Sequence, residues 1–411
     1  MMKILVKYEF LKILRKKSTL IVMAVSLIVT AFLFGLPIIQ FQTYHQDGVM
    51  KGLKGISYKK AQYTDVSVPL TEEYVTDTIR EVQQLFDNPD HIGYDGTEEF
   101  LIGDAYWNEI APRESLLNMI ARNYVNPGEY AGYNSMPEID VTNGANFYET
   151  RNSKIETLLN DPSRGLSAEQ KAYWRQMNSK VKTPLQYGYY EGWEIILTSF
   201  ELFMFALLAV CIAIAPVFCG EYQAGTDAVI LSGKYGKTRL IAAKITASLL
   251  FGLTSFTLHV VLAFGLLLAA FGTDGWNLPL QIAGTTVPYP LTFMQAALIN
   301  LGVIYLVLLA MMGLTLFLSA KMKNSYLVLA VIVPVLFLPM FLTPSGTTGI
   351  YNLILFLLPY RSTIPETGNY VSYQFGGLVL DLLSVRAILY AALTVLLLPF
   401  ARLGFKKHQV S

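Results

Sequence analysis

The sequence predicts an all-α polytopic membrane protein with six transmembrane helices, an N-terminal amphipathic helix and a mainly helical extracytoplasmic domain. Three observations predict it. The chain of 411 residues is 53% hydrophobic and only 15% charged, with mean hydropathy +0.42. That is too apolar for an ordinary soluble domain. Six apolar runs approach the length of about 20 residues that crosses roughly 30 Å of hydrocarbon. One long polar stretch, residues 42–194, interrupts them and is dominated by helix-start signals.

The six runs are Leu20–Phe41, Ile195–Cys219, Leu240–Phe271, Phe293–Leu318, Tyr326–Leu342 and Val385–Leu403. The fifth is the shortest and carries Pro334 and Pro339, which predict a kink. A seventh piece, Ile350–Leu358, lies between Pro344 and Pro359 and is too short to cross. It reads as a re-entrant or interfacial helix within the loop 343–384, with a buried loop helix as the alternative.

Basic residues set the expected orientation. Lys3, Lys7, Lys12, Arg15, Lys16 and Lys17 precede the first run, and Lys234, Lys237, Arg239 and Lys244 follow the second. Lys321 and Lys323 fill the turn 319–325, and Arg402, Lys406 and Lys407 end the chain. The alternate loops are nearly bare: 272–292 has no Lys or Arg, and 343–384 has only Arg361. An excess of Lys and Arg marks cytoplasmic loops. Both termini, including the tail 404–411, are therefore expected in the cytoplasm, and 42–194 outside. The first run is too long for a cleaved signal peptide, and no A-x-A-like site follows it. In residues 1–19, Val6, Phe10 and Ile13 share one helical face, and Glu9, Lys12 and Lys16 share another. Lys3 and Lys7 intrude on the apolar side. The pattern predicts a helix in the inner membrane interface; the alternative is a basic start that only sets topology.

The domain 42–194 holds 14 Lys and Arg against 23 Asp and Glu, so an acidic outside opposes a basic inside. Thr71-Glu72-Glu73 opens a helix with Val75, Ile79, Val82 and Phe86 on one face. Ser167 and Gln170 form a capping box ahead of Lys171–Met177. Further helices are expected near 97–109, 113–123 and 146–160. Fourteen of the 25 tyrosines fall here. They build either the domain core or a recognition surface for a peptide or glycan.

Between the second and third runs lies the polar stretch Glu221–Lys244. Within the hairpin 220–239, Thr226–Leu231 is a short helix candidate. Thr226 is placed to cap it, Asp227 to sit at its positive end, and Gly233 to stop it. Such a capped basic hairpin suits a contact made to be pushed. The plainer alternative is a loop that only sets topology.

Catalytic chemistry is missing from the pattern. The Gly-Lys-Thr at 236–238 lacks the first glycine of a phosphate loop, since position 231 is Leu, and it follows a membrane span. Ser57 and Lys60 have none of the partner motifs of the enzymes that use Ser-x-x-Lys. His45, His91, His259 and His408 show no metal-ligand spacing. Cys211 and Cys219 both lie in an apolar run, so no disulfide framework is expected. A net charge of +1 gives no reason to expect a nucleic-acid partner. Within the spans, Glu201 is read two turns into the second and His259 at the middle of the third. Both are candidates for a transport pathway, with an interface contact and a helix–helix hydrogen bond as the alternatives. Asp381 and Arg386 are expected to anchor the start of the last span.

The layout resembles the permease subunit of an ABC-2 type transporter. The carriers are the basic amphipathic start, six spans, the short apolar piece before the last span, and the hairpin residues Glu221, Gly225-Thr226, Ile230-Leu231-Ser232, Arg239, Leu240 and Lys244. One departure is Gly233-Lys234, where many relatives carry a proline. The resemblance implies a permease of a bacterial cytoplasmic membrane with no cofactor of its own. A separate cytoplasmic ATPase would bind ATP and Mg, and Glu221, Gly225, Thr226, Asp227, Leu231, Arg239 and Lys244 would couple the chain to it. It also implies a second permease, either another copy or a paralogue. A large domain between spans one and two occurs in a subset of such permeases. The alternative from another class is a membrane receptor or scaffold that senses a ligand through 42–194 without transport.

Overall fold

A computed structural model describes residues 2–64 and 66–407; the end of the tail, with His408, lies outside the described residues. The chain is an all-α polytopic membrane protein with a polar, mostly helical domain at one end. Among the described residues, five helical stretches are long and apolar enough to cross a membrane: Lys17–Gln40, Phe200–Gln223, Gly236–Phe271, Phe293–Lys321 and Leu382–Lys406. The fifth expected span appears as a shorter apolar stretch, Ser325–Phe341.

In chain order, α1 (Met2–Leu14) leads into α2 (Lys17–Gln40). A hairpin of β1 (Gln42–His45) and β2 (Gly48–Lys51) enters the polar domain, followed by α3 (Gly52–Gln62). Then come β3 (Pro69–Leu70), α4 (Glu72–Phe86), β4 (Ile92–Tyr94), β5 (Glu99–Leu101), α5 (Glu114–Arg122), α6 (Phe147–Asn160), α7 (Ala168–Asn178) and β6 (Leu185–Gln186). β3 pairs with β6, and β4 with β5, both antiparallel. The chain returns through α8 (Glu191–Thr198), α9 (Phe203–Ile214) and α10 (Pro216–Gln223). The hairpin helix α11 (Asp227–Ser232) leads to α12 (Ile241–Phe271), and α13 (Phe293–Lys321) and α14 (Ser325–Phe337) follow. α15 (Ile350–Phe356), the hairpin β7 (Ser372–Phe375) and β8 (Leu378–Asp381), and α16 (Leu382–Lys406) complete it.

Local sequence explains most of these elements. Thr71 caps α4 by accepting from the Tyr74 amide, and Ser167 and Gln170 form the expected capping box at α7. The helix expected near 97–109 forms only in its second half, over 103–110. Asp95 instead accepts from the Thr97 and Glu98 amides and closes the β4–β5 hairpin; a short wide helical turn, Ala105–Ile110, follows. A side chain that bonds the backbone two and three residues on competes with helix formation.

α2 turns Thr19, Ser26, Thr30 and Phe34 inward and leaves Leu20, Ile21, Val25, Ile28 and Phe32 exposed. That inversion suits lipid: apolar side chains gain nothing by leaving hydrocarbon, whereas small and hydroxyl side chains allow close helix contact. α2 packs on α9 and α12, and α13 packs along α16. The stretch Phe200–Gln223 is the most enclosed of the five spans. α14 carries Pro334 and is followed by a tight turn at Leu338–Phe341 that contains Pro339, which accounts for its short length.

The polar domain is seated firmly on the bundle. Arg151 donates to the carbonyl of Thr285, and Trp174 and Gln170 both reach Ser372, so α6 and α7 grip two loops between spans. Tyr63, Tyr187 and Tyr189 are buried, while Tyr44, Tyr94 and Tyr130 are exposed. These six tyrosines therefore divide between core and surface.

Candidate functional site

At the end of the bundle opposite the polar domain, four charged side chains from three segments converge. Lys244, in the first turn of α12, reaches Glu221 of α10 at 2.7 Å and Glu9 of α1 at 2.9 Å. Lys12 of α1 reaches the same Glu221 oxygen at 2.6 Å. Lys244 is 2% exposed and Glu221 5%. Desolvating two such charges costs several kcal/mol each, and here each is offset by facing an opposite charge. Two lysines against two glutamates leave the cluster balanced. Phe10 packs edge-on against Phe251 of α12, and Ile13 is buried beside it. The Phe10–Ile13 face of α1 is thus turned to protein, and Met2, Ile4, Tyr8 and Leu14 of that helix are exposed.

The hairpin grows from this cluster. Gly225 has φ +64°, a left-handed conformation that glycine tolerates, and it ends α10. Its Thr226 neighbour does not cap α11 with its side chain as expected; the hydroxyl donates to the Glu221 carboxylate instead. The rotamer that donates the hydroxyl to this charged acceptor makes no bond with the α11 amides. Asp227 and Leu231 are buried, whereas Val229 is 73% exposed. Gly233 stops α11 in an extended conformation, with its amide bonded to the Ile230 carbonyl. A Cβ on Gly236 would overlap the Ile230 carbonyl, so the return of the hairpin passes against its own helix. Arg239 stacks over Tyr235 at 4.7 Å, and Lys234 lies over the same ring at 5.6 Å. The exposed tip therefore presents Val229, Lys234, Tyr235 and Arg239.

Of the residues singled out from sequence, Glu221, Thr226 and Lys244 come together, and Gly225, Asp227, Leu231 and Arg239 shape the hairpin around them. Glu221 and Lys244 are buried ties, not exposed contacts. Sequence reasoning missed Glu9, Lys12 and Gly236. The signal for Glu9 was present: it is the lone acid among the basic residues of the N-terminal segment.

Glu201 and His259 have separate partners. The second run is not one helix from Ile195: α8 ends at Thr198, a tight turn covers Phe200–Leu202, and the continuous span begins there. Glu201 therefore lies in the first turn of that span, not two turns in. Its carboxylate accepts from the Tyr360 hydroxyl at 2.7 Å. His259 is fully buried, 3.0 Å from the Ser26 hydroxyl on α2, and contacts its own helix at the Ser255 carbonyl. Among the described residues, no group of three or more His, Cys, Asp or Glu side chains is arranged to hold a metal.

A polar cavity of about 500 Å³ sits where the domain meets the bundle, lined by Arg122, Lys154, Arg164, Tyr190, Glu194 and Thr285 among others. Burial, and then the charge of Glu191, pushes the Glu194 carboxyl from 4.5 up to about 7. The folded chain therefore holds this proton at pH values where the unfolded chain has lost it. The resulting stability loss grows as pH rises from about 4.5 to about 7 and is constant above. Glu194→Gln is expected to raise the melting temperature in detergent by a few degrees at pH 8 and to leave it unchanged at pH 4. The same gain at both pH values would show that charge is not the cause.

No curated protein and no solved structure matches the chain. Residues 3–399 match the family described as ABC-2 family transporter protein. With nearly the whole chain covered and the spans in place, this multi-pass protein belongs to the ABC-2 transporter family, as the membrane-embedded permease component of an ABC exporter.

Proposed function

We propose that this permease is driven by a separate cytoplasmic ATPase subunit, which binds ATP and Mg and docks on the hairpin 220–239 and on α1. The single observation behind the proposal is the Glu9–Lys244–Glu221–Lys12 cluster. It ties α1, the end of the second span and the start of the third into one body. A push on the exposed hairpin tip would then move both spans together. ATP binding can bias the permease only through contacts that differ between its two states, and in this reading those contacts run through the hairpin that the body carries.

In this reading the basic end faces the cytoplasm of a bacterial cell, both termini lie inside, and a second permease, a copy or a paralogue, completes the pathway. Glu201, held by Tyr360, lies at the outer mouth of that pathway, and His259 ties α2 to α12. The polar domain covers the exit.

The test is purification of the tagged protein from its host in mild detergent, with mass spectrometry and an ATPase assay. A stoichiometric ATP-binding subunit is expected. The double variant Arg239→Glu with Gly225→Leu puts a reversed charge at the tip and a side chain at a left-handed position, both outside the buried core. It is expected to lose the ATPase subunit and at least tenfold in transport while remaining folded. Retention of both would sink the docking assignment. Purification without any ATPase would favour a receptor that senses a ligand through the polar domain.

A further inference from the structure

Beside the ion cluster, between α1, the α1–α2 junction and the lower half of the second span, lies a second cavity of about 450 Å³. That volume falls within the roughly 300–1,000 Å³ range of small-molecule sites. Its walls differ in chemistry. Ala213, the pair Pro216-Val217, Gly220 and Ala224 follow one another at helical spacing, so one face of α9–α10 forms an apolar wall, joined by Ile13. Lys12, Arg15 and Lys16 stand at the rim, with Lys244 deeper.

The charges do not balance here. Glu9 and Glu221 also line the cavity, but they are already engaged by Lys244 and Lys12. Arg15 and Lys16 are exposed and form no ion pair or hydrogen bond through their side chains among the described residues. Two unpaired cations therefore edge a slot whose depth is apolar. Leu20 and Ile21, in the first turns of α2 just after this rim, are exposed and apolar.

We propose that this cavity is a binding site for one anionic phospholipid of the leaflet at the basic end. The headgroup phosphate sits between Arg15 and Lys16, and the start of one acyl chain lies along Pro216 and Val217. A soluble anion would use the cations but leave the apolar wall uncovered. A zwitterionic lipid would use the wall but bring a second cation to a basic rim. Only an anionic lipid satisfies both, and basic pockets between membrane helices recognise such headgroups. Because Lys12 and Glu221 share the cavity, an occupied site would brace the body that carries the hairpin. The proposal rests on the basic end lying at a membrane surface, not on an ATPase, so its failure is separable from failure of the coupling assignment.

The test uses the full chain in mild detergent, with phosphatidylglycerol, phosphatidylcholine and inorganic phosphate as separate probes, read by native mass spectrometry and thermal stability. One phosphatidylglycerol is expected to remain bound and to raise the melting temperature, with phosphatidylcholine and phosphate inert. Arg15→Gln with Lys16→Gln is expected to weaken retention roughly tenfold or more. Val217→Trp, which fills the slot and leaves every charge in place, is expected to abolish it. Equal retention of the two lipids, binding of inorganic phosphate alone, or unchanged retention in either variant would overturn the site. So would a dimer that releases lipid as it forms, which would assign the slot to a second copy of the chain.

Discussion

Replacing Lys244 with methionine is expected to cost on the order of 3–5 kcal/mol, the usual penalty for breaking a buried ion pair from one side. Methionine fills much of the same space, so packing is not what is lost. The variant leaves Glu9 and Glu221 facing one another with only Lys12 beside them. Glu221 is almost without solvent access, so its charge has nowhere to go. The measurement is thermal unfolding in detergent together with trypsin cleavage near Arg15 and Lys16. A fall of several degrees and faster cleavage are expected, because α1 is held to α12 by this cluster and by Phe10 and Ile13. Lys244→Met combined with Glu221→Gln should recover part of the loss, since the doubly neutral pair no longer strands a carboxylate at that position. A double variant no better than the single one would mean that lost packing, not stranded charge, sets the cost.

That cluster also shows what the sequence could and could not disclose. The Glu221 and Lys244 positions stand out by pattern, but burial is a property of the assembled bundle. Glu9 lies 235 residues from its partner Lys244, and no local period links them. Caps were legible because their physics is local: Thr71 and Ser167 act on amides three residues away. Helix termini set by competition were not. Thr226 has a choice between the α11 amides and the Glu221 carboxylate, and only the fold places that carboxylate within reach. The second span was misread at its start for a related reason. No proline or glycine marks a break in Ile195–Leu202, whereas the backbone turns at Ser199, next to where Glu201 meets Tyr360. The hairpin β1–β2 has no strict alternation of apolar and polar residues, so its strands carried no period to read.

Arg386→Met is expected to release the loop 343–384 and to destabilise the chain by several kcal/mol. Arg386 is fully buried near the start of α16. Its guanidinium donates to the carbonyls of Phe356 at 3.0 Å, Ile364 at 2.6 Å and Arg361 at 2.7 Å. Two effects oppose each other on its removal. Losing a buried cation relieves desolvation, whereas each stranded carbonyl costs roughly 1–3 kcal/mol. The Arg361 carbonyl keeps a bond from the Ile364 amide, so the full penalty falls on the other two. The carbonyl term still wins, because a guanidinium is weakly hydrated and so less costly to bury than an ammonium, while no other group takes its place. Hydrogen exchange across 356–364 is expected to rise, together with a lower melting temperature. Arg386→Lys should restore little, since one ammonium cannot reproduce a planar fork aimed at three carbonyls. Lysine performing as well as arginine would show that charge alone is required. The consequence reaches beyond the loop. Tyr360 sits inside the released segment and holds Glu201 at the mouth of the second span. The last span therefore positions the first turn of the second through Arg386 and Tyr360, and Arg386→Met should slow transport even where enough folded protein reaches the membrane.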